Sequence, residues 1–433
     1  MIFLLMLSDY IDRQIVVSLF PHLKEEWHLS DKQLGALVSV ISVVVALGSL
    51  PVAMLADRLG RVKSVVAMAA VWSGATIACM FAGNYAQLFA ARAVVGLGET
   101  GYGAVGAALV NGLFPKRFHS TLLGAFFAAS ALGAVLGVVL GGFIAEHWGW
   151  RAAFGAVGIP GMVLALLFIF VPDYKTTRVP SAPKKAGGRA GGHPGPLLRT
   201  LYESLTQGPT LIWICCAGAL QLIVVSTLWA WMPSYFNRYQ GMDAEQAARH
   251  AALGVLCCAA GALFWGWMAD RVSLRTPRNK LLLMCAVTVL TFVVFSTAFM
   301  APLAVGTQYA LILLGCFLMT CTVGVVTSSV LNVTHPSLRA TGSAVLALFQ
   351  NLLGLAIGPL AGGVISDYWG LNAALATLPA LGLASAVCFW KASRTYEADM
   401  GRVATRVANE ERAAARAGRT DHAGMDGAQA QPA

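Results

Sequence analysis

Apolar residues in this chain come in blocks of at least 20, broken by short polar clusters. At 1.5 Å per helical residue, each block is long enough to cross the roughly 30 Å hydrocarbon layer of a bilayer. The blocks fall at 2–21, 33–55, 64–83, 86–112, 120–145, 152–172, 210–236, 247–269, 281–301, 307–332, 341–366 and 372–391. They predict an all-α integral membrane protein with twelve transmembrane helices, termed spans one to twelve. Two stretches break the rhythm. Residues 173–208 contain PSAPKKAGGRAGGHPGP and predict a linker, with a short amphipathic surface helix over 197–207. The tail at 392–433 is rich in Ala, Arg and Glu, and is expected to be helical to about 417 and disordered beyond.

The chain is also an internal duplication. Residues 132–154 (LGAVLGVVLGGFIAEHWGWRAAF) align with 353–375 (LGLAIGPLAGGVISDYWGLNAAL) at an offset of 221, with 10 of 23 positions identical and Glu146 matched by Asp367. Ala56-Asp57-Arg58 after span two matches Ala269-Asp270-Arg271 after span eight, at an offset of 213. Two six-helix halves follow, 1–172 and 209–391. Repeated halves around a midplane site are a transporter architecture. Gly133, Gly137 and Gly141, with Gly354, Gly358 and Gly362, recur every fourth residue and predict close helix packing.

Composition agrees. The chain is 57% hydrophobic and 12% charged, with mean hydropathy +0.68. A soluble protein carries about 25% charged residues, so a soluble fold is excluded. The net charge of +10 is explained by its distribution. Of the 30 Lys and Arg residues, 23 fall in the linker, the tail and the loops and span ends on their side; five fall in the opposite loops and span ends, and Arg13 and Arg92 lie deeper inside spans. Positive charge marks the cytoplasmic side. Both termini are therefore expected in the cytoplasm, with the chain in the inner or plasma membrane if the source is bacterial, and with no nucleic-acid partner. The nine cysteines all lie in apolar spans and read as packing residues. The first apolar block starts at the first residues, which suggests a natural start upstream of Met1.

Charges inside spans are costly and point to function. Span one carries Asp9, Asp12 and Arg13; span four carries Arg92 and Glu99. Asp9 and Arg13 are one helical turn apart, and Arg92 and Glu99 two turns apart on one face. Three acids face two arginines, so at least one acid is expected to carry a proton during a transport cycle. Asp12 and Glu99 are the candidate coupling acids, with Arg13 and Arg92 as their charge partners. Gln221, Trp229, Gln350 and Asn351 are candidate cavity residues from the second half. Asp57, Arg58, Gly60 and Arg61, with Asp270 and Arg271, form a candidate cytoplasmic gate, because a carboxylate at a helix end can hold a neighbouring helix N-terminus.

These features resemble the major facilitator superfamily over nearly the whole chain, through the six-plus-six layout, the Asp57-Arg58-Leu59-Gly60-Arg61 loop and Leu88 through Arg92 to Gly96 and Gly98. Asp9-Tyr10-Ile11-Asp12-Arg13, Gly96 through Glu99 to Tyr102, and Gly149-Trp150-Arg151 resemble its Spinster-like transporters, as do Arg339-Ala340-Thr341-Gly342 and Gln350-Asn351-Leu352. The resemblance implies alternating-access transport of a small organic or lipid-like solute, coupled to protons through Asp12 and Glu99. It places Asp9 and Tyr102 at the substrate cavity. Organic-anion symporters of the anion–cation type share the span-one Asp-Arg and span-four Glu, and are the alternative. Asp9 stands where Spinster-like chains usually have Asn, Ala53 where the loop motif usually starts with Gly, and Ser273 where its second copy would have Gly. A monomer embedded in lipid, without metal or cofactor, is expected. The rival classes are a membrane enzyme, against which the eight His residues form no HxxxH or HExxH pair, and a channel, against which stands the asymmetry of the halves.

Overall fold

The computed structural model describes residues 2–59, 61–101, 119–170, 208–274, 276–336 and 339–428; at 2, 50–51, 53–59, 61, 119–128, 339–341 and 410–428 it describes the backbone alone. All regular structure among these residues is helical. Ten stretches are long and apolar enough to cross a membrane. Span one (Ile2–Ser18) and the described part of span four (Tyr85–Glu99) complete the set of twelve.

The first half holds span two at Asp31–Leu59, span three at Arg61–Met80, span five at His119–Trp148 and span six at Trp150–Phe168. The second holds span seven at Pro209–Gln240, span eight at Ala244–Ser273 and span nine at Asn279–Met300. Short polar motifs start several helices. Ser30 and Gln33 form a reciprocal capping box before span two, and Asn84 and Asp243 cap spans four and eight.

The structure departs from uniform spans in five places. Span one stops at Ser18, and a separate short helix, Phe20–Trp27, starts with Pro21 in its first turn. Glu26 ties that helix to span six, accepting from Trp150 Nε1 and from Arg151 Nη1 at 2.8 Å. The Trp150 bond, helped by Arg151, outweighs the effect of burial and holds the Glu26 carboxyl below the usual range.

The helix of span four ends at Glu99, where a continuous helix to 112 was expected. Thr100 is extended, with its hydroxyl turned back to the Gly96 carbonyl at 2.6 Å, and Gly101 takes φ +79°, a conformation open to glycine. Span ten is two helices, Val305–Met319 and Thr322–Val333; at the break Thr320 Oγ1 donates to the Cys258 carbonyl of span eight at 2.7 Å. Span eleven carries a π-helical stretch, Phe349–Leu355, between Arg339–Leu348 and Ile357–Trp369. Span twelve starts as Leu371–Thr377 and continues, after a 3-10 turn, as one helix from Leu381 to Ala428, past the end expected near 417.

The glycine repeats pack each half internally. Cβ atoms at Gly133 and Gly137 would strike the span-one backbone at Leu7 and Ile11, and one at Gly358 would strike Ser226 and Ile223 of span seven. The seam between halves uses the neighbouring glycines. Gly142 of span five abuts Ala244 and Ala248 of span eight, and Gly363 of span eleven abuts Asp31 and Lys32 of span two. These contacts lie towards one end of the bundle, termed the far face, which carries residues 28–30, 241–243 and 370. The linker expected at 173–208, with its surface helix at 197–207, lies outside the described residues except for Gly208.

Candidate functional site

Successive helix residues point 100° apart, so Asp12 and Arg13 face different ways. The five span charges accordingly separate into two groups. Asp12 turns into the first half, where Thr76 Oγ1 donates to it at 2.6 Å and Arg92 Nη1 at 3.2 Å. Arg92 is completely buried and Asp12 nearly so. Arg13 points elsewhere. Its Nε lies 2.8 Å from Glu99 Oε2 and 3.9 Å from Asp9 Oδ2, and its guanidinium carbon lies 5.7 Å from the centroid of the Tyr10 ring. Arg13's nearest acid is therefore Glu99 of span four, and its helical neighbour Asp9 comes second.

Arg92 and Glu99 project from one face of span four towards span one, as their spacing requires. A Cβ at Gly98 would collide with Trp72 of span three, so glycine there lets spans three and four close up beside the charges. Neither oxygen of Glu99 has a hydrogen-bond partner among the described residues, nor does Asp9 Oδ1. Asp12, by contrast, has both oxygens engaged.

A cavity of about 280 Å³ lies between the halves. Arg13 reaches its wall, with Gln14 and Ser130 beside it; Leu222, Val225 and Trp229 supply an apolar face from span seven. Arg13 is the one charged side chain among the described lining residues, and Asp9, Asp12 and Glu99 stay behind the wall. The breaks in spans ten and eleven border the same space, at Thr320 and Leu355. Irregular backbone inside a membrane is tolerated where it is covered by protein or lines a cavity.

Of the residues expected at the cavity, Trp229 lines it. Gln221 does not: it is fully buried, and its amide nitrogen donates to the Met319 carbonyl at 3.1 Å, joining spans seven and ten. Gln350 and Asn351 sit in the π-helical stretch and are not wall residues; Asn351 Nδ2 donates to Ala347 within its own helix at 2.9 Å. Asp9 sits behind Arg13, and Tyr102 lies outside the described residues.

For the expected gate, Gly60 and the side chains of Asp57, Arg58 and Arg61 lie outside the described residues. Asp270 and Arg271 are exposed, and Arg271 lies over the Trp267 ring with its guanidinium carbon 5.2 Å from the centroid. Thr76, Gln14 and Ser130 escaped the sequence reading, because a single hydroxyl or amide in an apolar span carries no spacing signal.

The chain matches the family model described as Major Facilitator Superfamily over residues 2–356. It is 28% identical over 419 residues to an MFS-type efflux pump of Mycolicibacterium smegmatis, covering 90% of this chain and 91% of that protein. It is 28% identical to a gallate transporter of Pseudomonas putida, covering 64% of this chain and 65% of that one. Its fold is similar to the crystal structure of a bacterial homologue of the human lysosomal transporter Spinster, in an inward-facing and occupied conformation. That match has a TM-score of 0.79 and 20% identity, over 92% of this chain and 96% of the other.

Proposed function

We propose, for a chain that belongs to the major facilitator superfamily and is a secondary transporter, that a proton drives a small organic anion through the cavity at Arg13. Glu99 and Asp12 are the coupling acids in this reading, and Arg13 and Arg92 their partners. One observation carries it: three buried acids share two arginines, and among the described residues Arg13 is the charged group that stands between Glu99 and the cavity. An anion on the exposed part of Arg13 weakens that residue's hold on Glu99. A carboxylate losing its cation in a low dielectric favours its protonated form. Anion and proton then enter together without changing the net charge of the site.

The cavity favours an anion over a cation, because its charged wall residue is Arg13. Its size, just below the range of about 300–1,000 Å³ for ligand pockets, suits a compact solute, and Trp229 offers an aromatic face. The gallate transporter among the relatives fits that class. The test is uptake by the purified protein in liposomes, with gallate and other small aromatic carboxylates as probes. Saturable uptake that accumulates when the external side is acid, and that an uncoupler collapses, is expected. Uptake indifferent to the gradient would remove the proton from the mechanism.

The asymmetry of Lys and Arg supports cytoplasmic termini. A cysteine placed at Ser181 or Ala423 is expected to react with an impermeant maleimide only after the cells are opened. Labelling of intact cells would reverse the orientation.

A further inference from the structure

The far face of the bundle is closed by one carboxylate that joins four elements. Asp31, the first residue of span two, is 3% exposed in its side chain. Its Oδ1 accepts from Lys24 Nζ of the short helix at 2.6 Å and from Arg238 Nη2 of span seven at 2.9 Å. Its Oδ2 accepts from Arg238 Nη1 at 2.7 Å and from Ser366 Oγ of span eleven. Two-pronged pairing of Arg with carboxylate is among the strongest and most directional polar contacts. The next residue of span eleven completes the join: Asp367 accepts from the backbone N–H groups of Asp31 at 2.7 Å and Lys32 at 2.9 Å, at the positive end of span two. Span two belongs to the first half, and spans seven and eleven to the second.

The duplication supplies an internal control. At the offset of 213, Ala244 of span eight stands where Asp31 does in span two, and it meets Gly142 as Asp31 meets Gly363. At the offset of 221, Glu146 stands where Asp367 does. The charges differ, however. Ala244 has no carboxylate; Asp243 caps its own helix through Gln246 N at 2.6 Å. Glu146 is 43% exposed, 4.0 Å from His22, beside a hollow of about 580 Å³. The two seams of the far face share their close helix approach, and one of them carries the charge lock.

We propose that Asp31, held by Arg238 and Lys24 and backed by Asp367, is the lock that keeps the far face shut, and that its release is the step that opens the cavity to that side. A network that joins the halves at one end favours the state in which that end is closed; in alternating access the other end opens as this one shuts. The proposal rests on the transporter reading but not on proton coupling.

Hydrogen–deuterium exchange on the purified protein, without substrate or gradient, tests it. In Asp31→Asn, exchange over 28–36 and 360–372 is expected to rise by about tenfold as the population shifts, while exchange over 268–282 at the opposite end falls. Arg238→Gln, which leaves span two's first residue in place, and Asp367→Asn are expected to move both regions the same way by less. Glu25→Gln, an exposed carboxylate beside the same hollow, is expected to change neither. Loosening of the far face without protection of the opposite end would make the cluster a local brace and overturn the proposal. Unchanged exchange in Arg238→Gln and Asp367→Asn would overturn it too, and these two variants decide the matter if Asp31→Asn does not fold.

Discussion

Glu99→Gln is expected to abolish proton-driven accumulation while substrate binding and passive exchange persist. The substitution keeps the size and polarity of the side chain but removes its capacity to exchange a proton. Glu99 is buried, its carboxylate lies 2.8 Å from Arg13, and neither oxygen has a hydrogen-bond partner among the described residues. Glutamine therefore leaves few specific contacts unmade, and the fold is expected to hold. Arg13 stays at the cavity wall and is relieved of its competitor, so anion binding should become insensitive to pH. In the wild-type protein a coupling of about 1–3 kcal/mol would make affinity change roughly 5- to 150-fold between the two protonation states. Binding titrations at several pH values, paired with liposome uptake, separate the two effects. A variant that still accumulates substrate with wild-type pH dependence would show that Glu99 is structural.

Asp12→Asn is expected to act on stability first. Arg92 is completely buried, and Asp12 is the acid beside it, at 3.2 Å. Its Nε and Nη2 already have no partner among the described residues. Removing one member of a buried pair and leaving the other charged typically costs about 3–5 kcal/mol. Asp12→Asn and Arg92→Gln should each lower the thermal midpoint of the purified protein sharply. Thr76→Val, which removes one hydrogen bond to the same carboxylate, should cost nearer 1–3 kcal/mol. The double variant Asp12→Asn with Arg92→Met should recover part of the loss, since it leaves no unpaired charge. If Asp12→Asn melts like wild type, the pair is not a structural anchor. That result would confine the part of Asp12 to proton coupling, which the same liposome uptake assay reads.

The twelve spans, the duplication and the charged residues worth watching were all legible in the sequence, because each depends on local chemistry. Hydrophobic length sets a crossing, and a charge in an apolar run is costly wherever its neighbours lie. The repeat of Gly133, Gly137 and Gly141 likewise announced close packing, although not that the partner would be span one. Partner choice was another matter. Arg13 has Asp12 beside it in sequence and pairs with Glu99, because helical rotation turns adjacent side chains apart and the long side chains of Arg13 and Glu99 reach each other between spans one and four. Gln221 looked like a cavity residue and became a bridge between helices, because its amide finds the Met319 carbonyl at the last residue before the break in span ten. The lock at Asp31 joins groups 207 and 335 residues apart in the chain. The sequence by itself determined a twelve-span duplicated membrane protein with its mid-span charges in the first half. Only the tertiary structure decided which acid meets which arginine, which wall faces the solute and which seam is locked, since those depend on helix rotation and on contacts between distant segments that no local pattern encodes.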